Sequence, residues 1–161
     1  MFGNRFLSWD SDFELRIISK SKTRESMKTR KVFLVDDDFV FREAAEVLIT
    51  SSGLTEKVLH FENGLEVYNR LVELAETPEH LPEIMLLDIN MPVMNGWELL
   101  EELRTEKSVI RDSIQIHILT SSIAPEDLNL SKEYEFIDGY ITKPLTGADL
   151  EKLAQSIVAE E

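Results

Sequence analysis

This chain of 161 residues contains no cysteine. That excludes disulfides, thiol nucleophiles and thiolate metal ligands. No apolar run approaches the roughly 18 residues of a membrane-spanning helix, so no membrane partner is expected. The first residues, MFGNRFLSWDSDFELR, lack the unbroken apolar region of about 7–15 residues that marks a secretory signal. A cytoplasmic location is expected. There is no glycine-rich phosphate loop. His60, His80 and His117 are scattered and lack metal-ligand spacing. His117 sits in an apolar run and reads as a core or crevice-edge residue.

Positive charge is scarce outside one end. Residues 1–31 carry eight Lys/Arg and four Asp/Glu, and the remainder holds nine against 27, a balance of −18. Such an acidic body repels phosphate backbones, which argues against direct nucleic-acid binding. Most of these charges read as solvated surface, but the excess also suits a module that recruits Mg²⁺. The basic, aperiodic stretch SKSKTRESMKTRK reads as a flexible linker or tail. Residues 1–30 are therefore read as a basic polar extension and 31–161 as one domain. FELRII (13–18) fits a short strand or a helical turn, and MKTRKVFLVDDD would allow translation to begin at Met27.

From residue 31 the pattern alternates. Five strands are expected: VFLV (32–35), KVLHF (57–61), EIMLLD (83–88), SIQIHILT (113–120) and EFIDGYIT (135–142). Phe41, Ala44, Ala45, Leu48 and Ile49 mark a first helical face, stopped at Gly53. Asn63-Gly64 breaks the second strand, and Leu65, Tyr68, Val72 and Ala75 mark a second helix. WELLEELR starts a third, with Trp97 and its apolar neighbours read as core. Pro125 opens a short fourth. Leu150, Leu153, Ala154, Ile157 and Val158 stripe the last. Five such units imply a parallel sheet with helices on both faces.

Polar residues end four of these runs: Asp36-Asp37, Asp88, Thr120 and Lys143. In an open α/β sheet the ligand crevice lies at the carboxyl ends of the strands. Three carboxylates there would raise one another's pKa unless a cation compensates. Mg²⁺ prefers oxygen ligands and commonly takes one or two carboxylates plus a phosphate oxygen. A carboxylate can also accept a phosphoryl group as an aspartyl phosphate. Lys143 would balance the phosphoryl charge, and Thr120 would donate to its oxygen. Singly, each residue has a plainer reading. An Asp pair usually serves a turn or a helix cap, with Asp38 a candidate cap. A strand-end Thr is usually structural, and a Lys before Pro is usually solvated. Five together, each at a strand's carboxyl end, shift the balance.

With FLVDDD (33–38), LLDINMPVMNGWELL (86–100), ILTSS (118–122) and GYITKPLT (139–146), the sequence resembles the receiver domain of two-component response regulators over residues 31–159. The resemblance implies a flavodoxin-like (βα)5 fold with strand order 2-1-3-4-5. It implies Asp88 as phosphoacceptor, and Asp36, Asp37, Asp88 and the Asn90 backbone carbonyl around Mg²⁺. Thr120 would be the switch hydroxyl, Lys143 the phosphoryl-binding cation and Tyr140 the aromatic switch. The Lys143–Pro144 bond would be cis. Asn90 and Ser122 occupy positions that modulate dephosphorylation, and small Ser121 leaves the site open. Gly96, after Asn95, fits a turn position with positive φ.

The implied donor is a sensor histidine kinase or a histidine phosphotransfer protein. The implied output is a reshaped face of helix four, strand five and helix five, bound by a downstream protein effector; a phosphorylation-dependent dimer stays open. Only Ala159-Glu160-Glu161 follow the last helix, so a stand-alone receiver is expected. It would assist only its own phosphorylation and dephosphorylation and is not a conventional enzyme. Two rivals stand. VFLVDDDFV and IHILTSS also fit the first two motifs of haloacid-dehalogenase-type phosphatases, with Asp36 as nucleophile and Asp38 as acid/base. That family needs a lysine and then an acidic strand end, whereas Asp88 precedes Thr120. The other rival is a phosphate-independent receiver-like scaffold.

Overall fold

The computed structural model describes residues 30–106, 108–121, 129–130 and 132–158. Five parallel strands run β1 Val32–Val35, β2 Val58–Phe61, β3 Ile84–Asp88, β4 Gln115–Thr120 and β5 Ile137–Thr142. Their order across the sheet is β2-β1-β3-β4-β5. This is the expected (βα)5 architecture. Helix α1 spans Phe39–Ser51, α2 Gly64–Leu74 and α3 Gly96–Glu106. A helical turn, Ser108–Arg111, follows α3, and a last helix spans Gly147–Val158. The N-terminal extension, the FELRII segment, Met27, Ser122 and the helix expected from Pro125 lie outside the described residues.

Strand alternation divides the core into two halves. Phe33, Val35, Met85 and Leu87 face one way and meet Val67, Leu71 and Leu74 of α2 and Leu99, Leu100 and Leu103 of α3. Val32, Leu34, Ile84 and Leu86 face the other way. They meet Ala45 and Ile49 of α1 and Leu150, Leu153 and Ile157 of the last helix. Strands β1 and β3 are buried along their whole length, as inner strands of a parallel sheet covered on both faces must be. Strand β2 is an edge, and its Leu59 is exposed.

Local chemistry sets the helix starts. The Asp38 side chain accepts from the Phe41 amide at 3.1 Å and caps α1. Asn63 caps α2 by accepting from the Glu66 amide at 2.9 Å. Asn95 and Glu98 form a reciprocal box at the start of α3: the Glu98 amide donates to Asn95 at 3.0 Å and the Asn95 amide to Glu98 at 2.8 Å. Thr146 and Asp149 repeat this arrangement before the last helix. Gly53, with φ of 80°, ends the α1 segment in the left-handed region.

Two sequence expectations need correction. The buried stripe of α2 is Gly64, Val67, Leu71 and Leu74, one residue away from the set Leu65, Tyr68, Val72 and Ala75. The Gly64 amide donates to the Met94 carbonyl at 2.9 Å, which presses Gly64 inward and turns Leu65 outward. Positive φ falls on Val93 (71°) in the turn after β3, not on Gly96. A side chain at Gly96 would instead meet the Asp88 carbonyl oxygen at 2.7 Å and the Ile89 Cα at 2.9 Å. Gly96 is there for close approach. Strands β2 to β5 also start one or two residues later than their apolar runs.

Candidate functional site

Asp36 follows β1, Asp88 and Thr120 end β3 and β4, and Lys143 follows β5. The parallel register brings these ends together. Val35 pairs with Leu87, and Asp88 pairs with Leu119, the residue before Thr120. Thr120 pairs with Thr142, and the Lys143 amide donates to the Thr120 carbonyl at 2.8 Å. The Lys143–Pro144 peptide is cis.

The carboxylates converge. One oxygen from each of Asp36, Asp37 and Asp88 lies within 4.8 Å of the others. Asp36 and Asp88 are buried, whereas Asp37 is exposed at the mouth. The Lys143 ammonium bridges the two buried members, with Nζ 2.6 Å from Asp36 Oδ2 and 3.2 Å from Asp88 Oδ2. The same nitrogen lies 4.5 Å from the Phe41 ring centroid, a cation–π contact that anchors the lysine from the α1 side. The Asn90 amide donates to Asp88 Oδ1 at 3.4 Å, and Asn90 itself is exposed.

Electrostatics follow from this crowding. Burial pushes the Asp36 carboxyl above the ordinary carboxylate value. The hydrogen bond from Lys143, the Asp38 amide and the lysine charge pull it back in part, and the Asp88 charge adds to the rise. Burial pulls the Lys143 ammonium down, but the hydrogen bond and charge of Asp36, followed by those of Asp88, outweigh it and hold the group above an ordinary lysine. An all-oxygen donor set with excess negative charge suits a hard divalent cation such as Mg²⁺.

One residue of this site escaped the sequence reading. Arg42 is buried on the α1 face, donates to the Asp36 carbonyl, and reaches Glu62 Oε1 at 2.9 Å. It holds the backbone of the acidic pair against α1. The signal was present, because Arg42 shares the 3.6-residue stripe of Ala45 and Ile49. Tyr140 lies on β5 opposite Ile118 and packs against the half of the core that contains Met85 and Leu87. Its hydroxyl is shielded and makes no hydrogen bond among the described residues. Ser121 is exposed beside Thr120.

A parallel sheet of this order, with an acidic crevice outside its carboxyl edge, defines a flavodoxin-like domain built around a cation-binding mouth. The family model of the response regulator receiver domain matches residues 32–155. The nitrate/nitrite response regulator protein NarL of Escherichia coli (strain K12) is 34% identical over 130 residues, which cover 81% of this chain and 55% of that protein. The chain thus spans about half the length of this curated relative. A two-component response regulator from Cytophaga hutchinsonii has the same fold with a TM-score of 0.75 at 28% identity, covering 82% of this chain and 99% of that one. The receiver domain of the sensor histidine kinase PA1611 from Pseudomonas aeruginosa PAO1 superposes with a TM-score of 0.65 at 20% identity, covering 82% and 99%. That structure has a magnesium ion coordinated in its active site cleft.

The chain belongs to the response regulator receiver domain family of two-component signalling. Receiver domains bind Mg²⁺ in the active site and engage histidine kinases or phosphotransfer proteins and downstream effectors. The phosphatase alternative is not supported by this match. Its required acid/base, Asp38, is spent on capping α1. Among the described residues no helix is long and apolar enough to cross a membrane.

Proposed function

We propose that this receiver accepts one phosphoryl group on Asp88 from a sensor histidine kinase or a histidine phosphotransfer protein in the cytoplasm. The observation that carries the reading is the Lys143 ammonium held between Asp36 and Asp88 at 2.6 and 3.2 Å, beside the exposed Asp37. That arrangement offers a nucleophilic carboxylate, a cation for the incoming charge and two further carboxylates for a metal. Asp36, Asp37, Asp88 and the Asn90 carbonyl would hold Mg²⁺, which supplies positive charge for the phosphoryl oxygens. In the transfer the phosphorus–nitrogen bond of the donor histidine, protonated on its other ring nitrogen, breaks as the Asp88 Oδ–phosphorus bond forms, and the imidazole leaves as the neutral group that keeps that proton. Lys143 gives up part of its contact with Asp88 to pair with a phosphoryl oxygen. Thr120 donates to a second oxygen.

Drawing Thr120 toward the phosphoryl group alters the space beside Tyr140, which lies on β5 two residues before Thr142, the pairing partner of Thr120. Two arrangements of Tyr140 then differ in free energy according to phosphorylation, and a downstream protein reads the difference on the face built by β5 and the helices flanking it. The chain turns over no free substrate in this scheme. Residues 31–161 form the receiver unit, and residues 1–30 are a basic extension to it.

Intact-mass analysis after incubation with acetyl phosphate and Mg²⁺ tests the proposal. One added phosphoryl group that requires Mg²⁺ and is lost in Asp88→Asn is expected. An adduct that persists in Asp88→Asn would move the nucleophile elsewhere, Asp36 first. A chain that takes no phosphoryl group from acetyl phosphate or from any histidine phosphodonor is a phosphate-independent scaffold.

A further inference from the structure

Two groups of three donor side chains converge to within 4.8 Å among the described residues. One is the aspartate trio. The other is Glu43, Glu46 and His60, on a different surface formed by α1 and β2. Glu43 and Glu46 lie three residues apart on α1, so both project from one side of that helix. His60 lies on edge strand β2 two residues after Val58, on the sheet face that packs against α1. Its Nε2 is 3.1 Å from Glu46 Oε2, and its Nδ1 is 3.9 Å from Glu43 Oε1. The imidazole is 22% exposed, while its Nε2 is shielded from solvent and makes no hydrogen bond among the described residues.

We infer that Glu43, Glu46 and His60 form a second metal site, for a borderline divalent transition ion of the Zn²⁺ class. Three features support this. Donors bound to one ion at about 2.0–2.2 Å in tetrahedral geometry stand roughly 3.3–3.6 Å apart. One donor atom from each of Glu43, Glu46 and His60 lies within 4.8 Å of the other two, and the Nε2–Oε2 separation of 3.1 Å is already close to the bonded value. Two carboxylates and a neutral imidazole match a divalent ion in charge, and the imidazole makes the donor set softer than the all-oxygen trio. One ring nitrogen ligates while the other is left for water or a carboxylate, and the glutamates, 55% and 35% exposed, turn to close the site. A fourth position stays open to water. The two sites therefore sort ions by chemistry: Mg²⁺ at the strand ends, a Zn²⁺-class ion on the α1–β2 surface.

Calorimetric titration of the untagged full chain with ZnCl₂, in Mg²⁺ high enough to occupy the aspartate site, tests this. One equivalent is expected to bind. His60→Ala and Glu46→Gln should each weaken binding at least tenfold, while Asp88→Asn and His80→Ala leave it unchanged. Phosphorylation of the His60→Ala variant by acetyl phosphate confirms that it is folded. Absence of Zn²⁺ binding, binding unaffected by His60→Ala, or loss confined to Asp88→Asn each overturns the site.

Discussion

Asp36 is buried in the crevice, and that burial governs its titration. Its folded carboxyl holds a proton more tightly than the unfolded chain does, since burial dominates its surroundings. A raised acid pKa means that this group favours the fold at low pH. That contribution is lost as pH rises through the ordinary carboxylate value of about 3.9 toward the folded value. Lys143 works in the opposite range. Its raised pKa stabilises the fold fully below about 10.4 and is lost only as pH rises through the folded value. As pH rises, ionising Asp36 therefore costs the ion-free fold more than it costs the unfolded chain. Asp36→Asn is expected to raise the melting temperature of the Mg²⁺-free protein at pH 7 and to have less effect near pH 4. A lowered melting temperature at pH 7 would show that the Lys143 contact outweighs burial. Gly96 obeys a steric rule instead. Gly96→Ala places a methyl 2.7 Å from the Asp88 carbonyl oxygen. It should cost about 1–3 kcal/mol in urea unfolding and slow phosphorylation by displacing Asp88. A loss below half a kilocalorie per mole, the size of an ordinary surface change, would show that the turn relaxes.

Among the elements, α2 gives the sharpest test of packing. Leu71 is fully buried, while Leu65 is 41% exposed although it begins the apolar series read from sequence. Leu71→Ala is expected to cost about 2–5 kcal/mol, and Leu65→Ala to stay within about 0.5 kcal/mol. Equal costs would restore the sequence-derived phase. The contrast shows where sequence was legible. Strands β1 and β3 were readable because their apolar runs are too short for a helix and end in turn residues, and the strand-end residues followed from them. The phase of α2 was not readable, because it depends on the Gly64–Met94 hydrogen bond between segments thirty residues apart. For the same reason spacing could not show that His60 meets Glu43 and Glu46. Gly96 was expected to need a positive φ, whereas its need is for close approach, and the clash with the Asp88 backbone appears only when the chain is folded. Val93 had no sequence signal as a left-handed residue. A β-branched side chain is strained there, so Val93→Asn is expected to raise stability by about 1 kcal/mol in the same urea assay.

For the molecule as a whole, charge and ligand binding are linked. The chain carries −14 at neutral pH, and three of its carboxylates are packed into one crevice. An ion bound by the folded state alone stabilises it by RT ln(1 + [L]/Kd), about 2.7 kcal/mol at a hundredfold excess over Kd. For a domain of this size that corresponds to a rise of roughly 10 °C in melting temperature. Mg²⁺ should produce such a rise in the wild-type chain. NaCl at matched ionic strength should produce less, because screening acts on the whole acidic surface and not on the trio. Asp36→Asn and Asp88→Asn should each remove most of the Mg²⁺-specific part, while His60→Ala keeps it. The direction with pH is also fixed. Because burial makes Asp36 hold its proton above the ordinary carboxylate range, the Mg²⁺-dependent rise should shrink on acidification sooner than an ordinary carboxylate would dictate. Proton and ion compete for the same oxygens. An Mg²⁺ response that is unchanged in Asp36→Asn, or equal to that of NaCl, would mean that the acidic crevice is only a surface charge cluster.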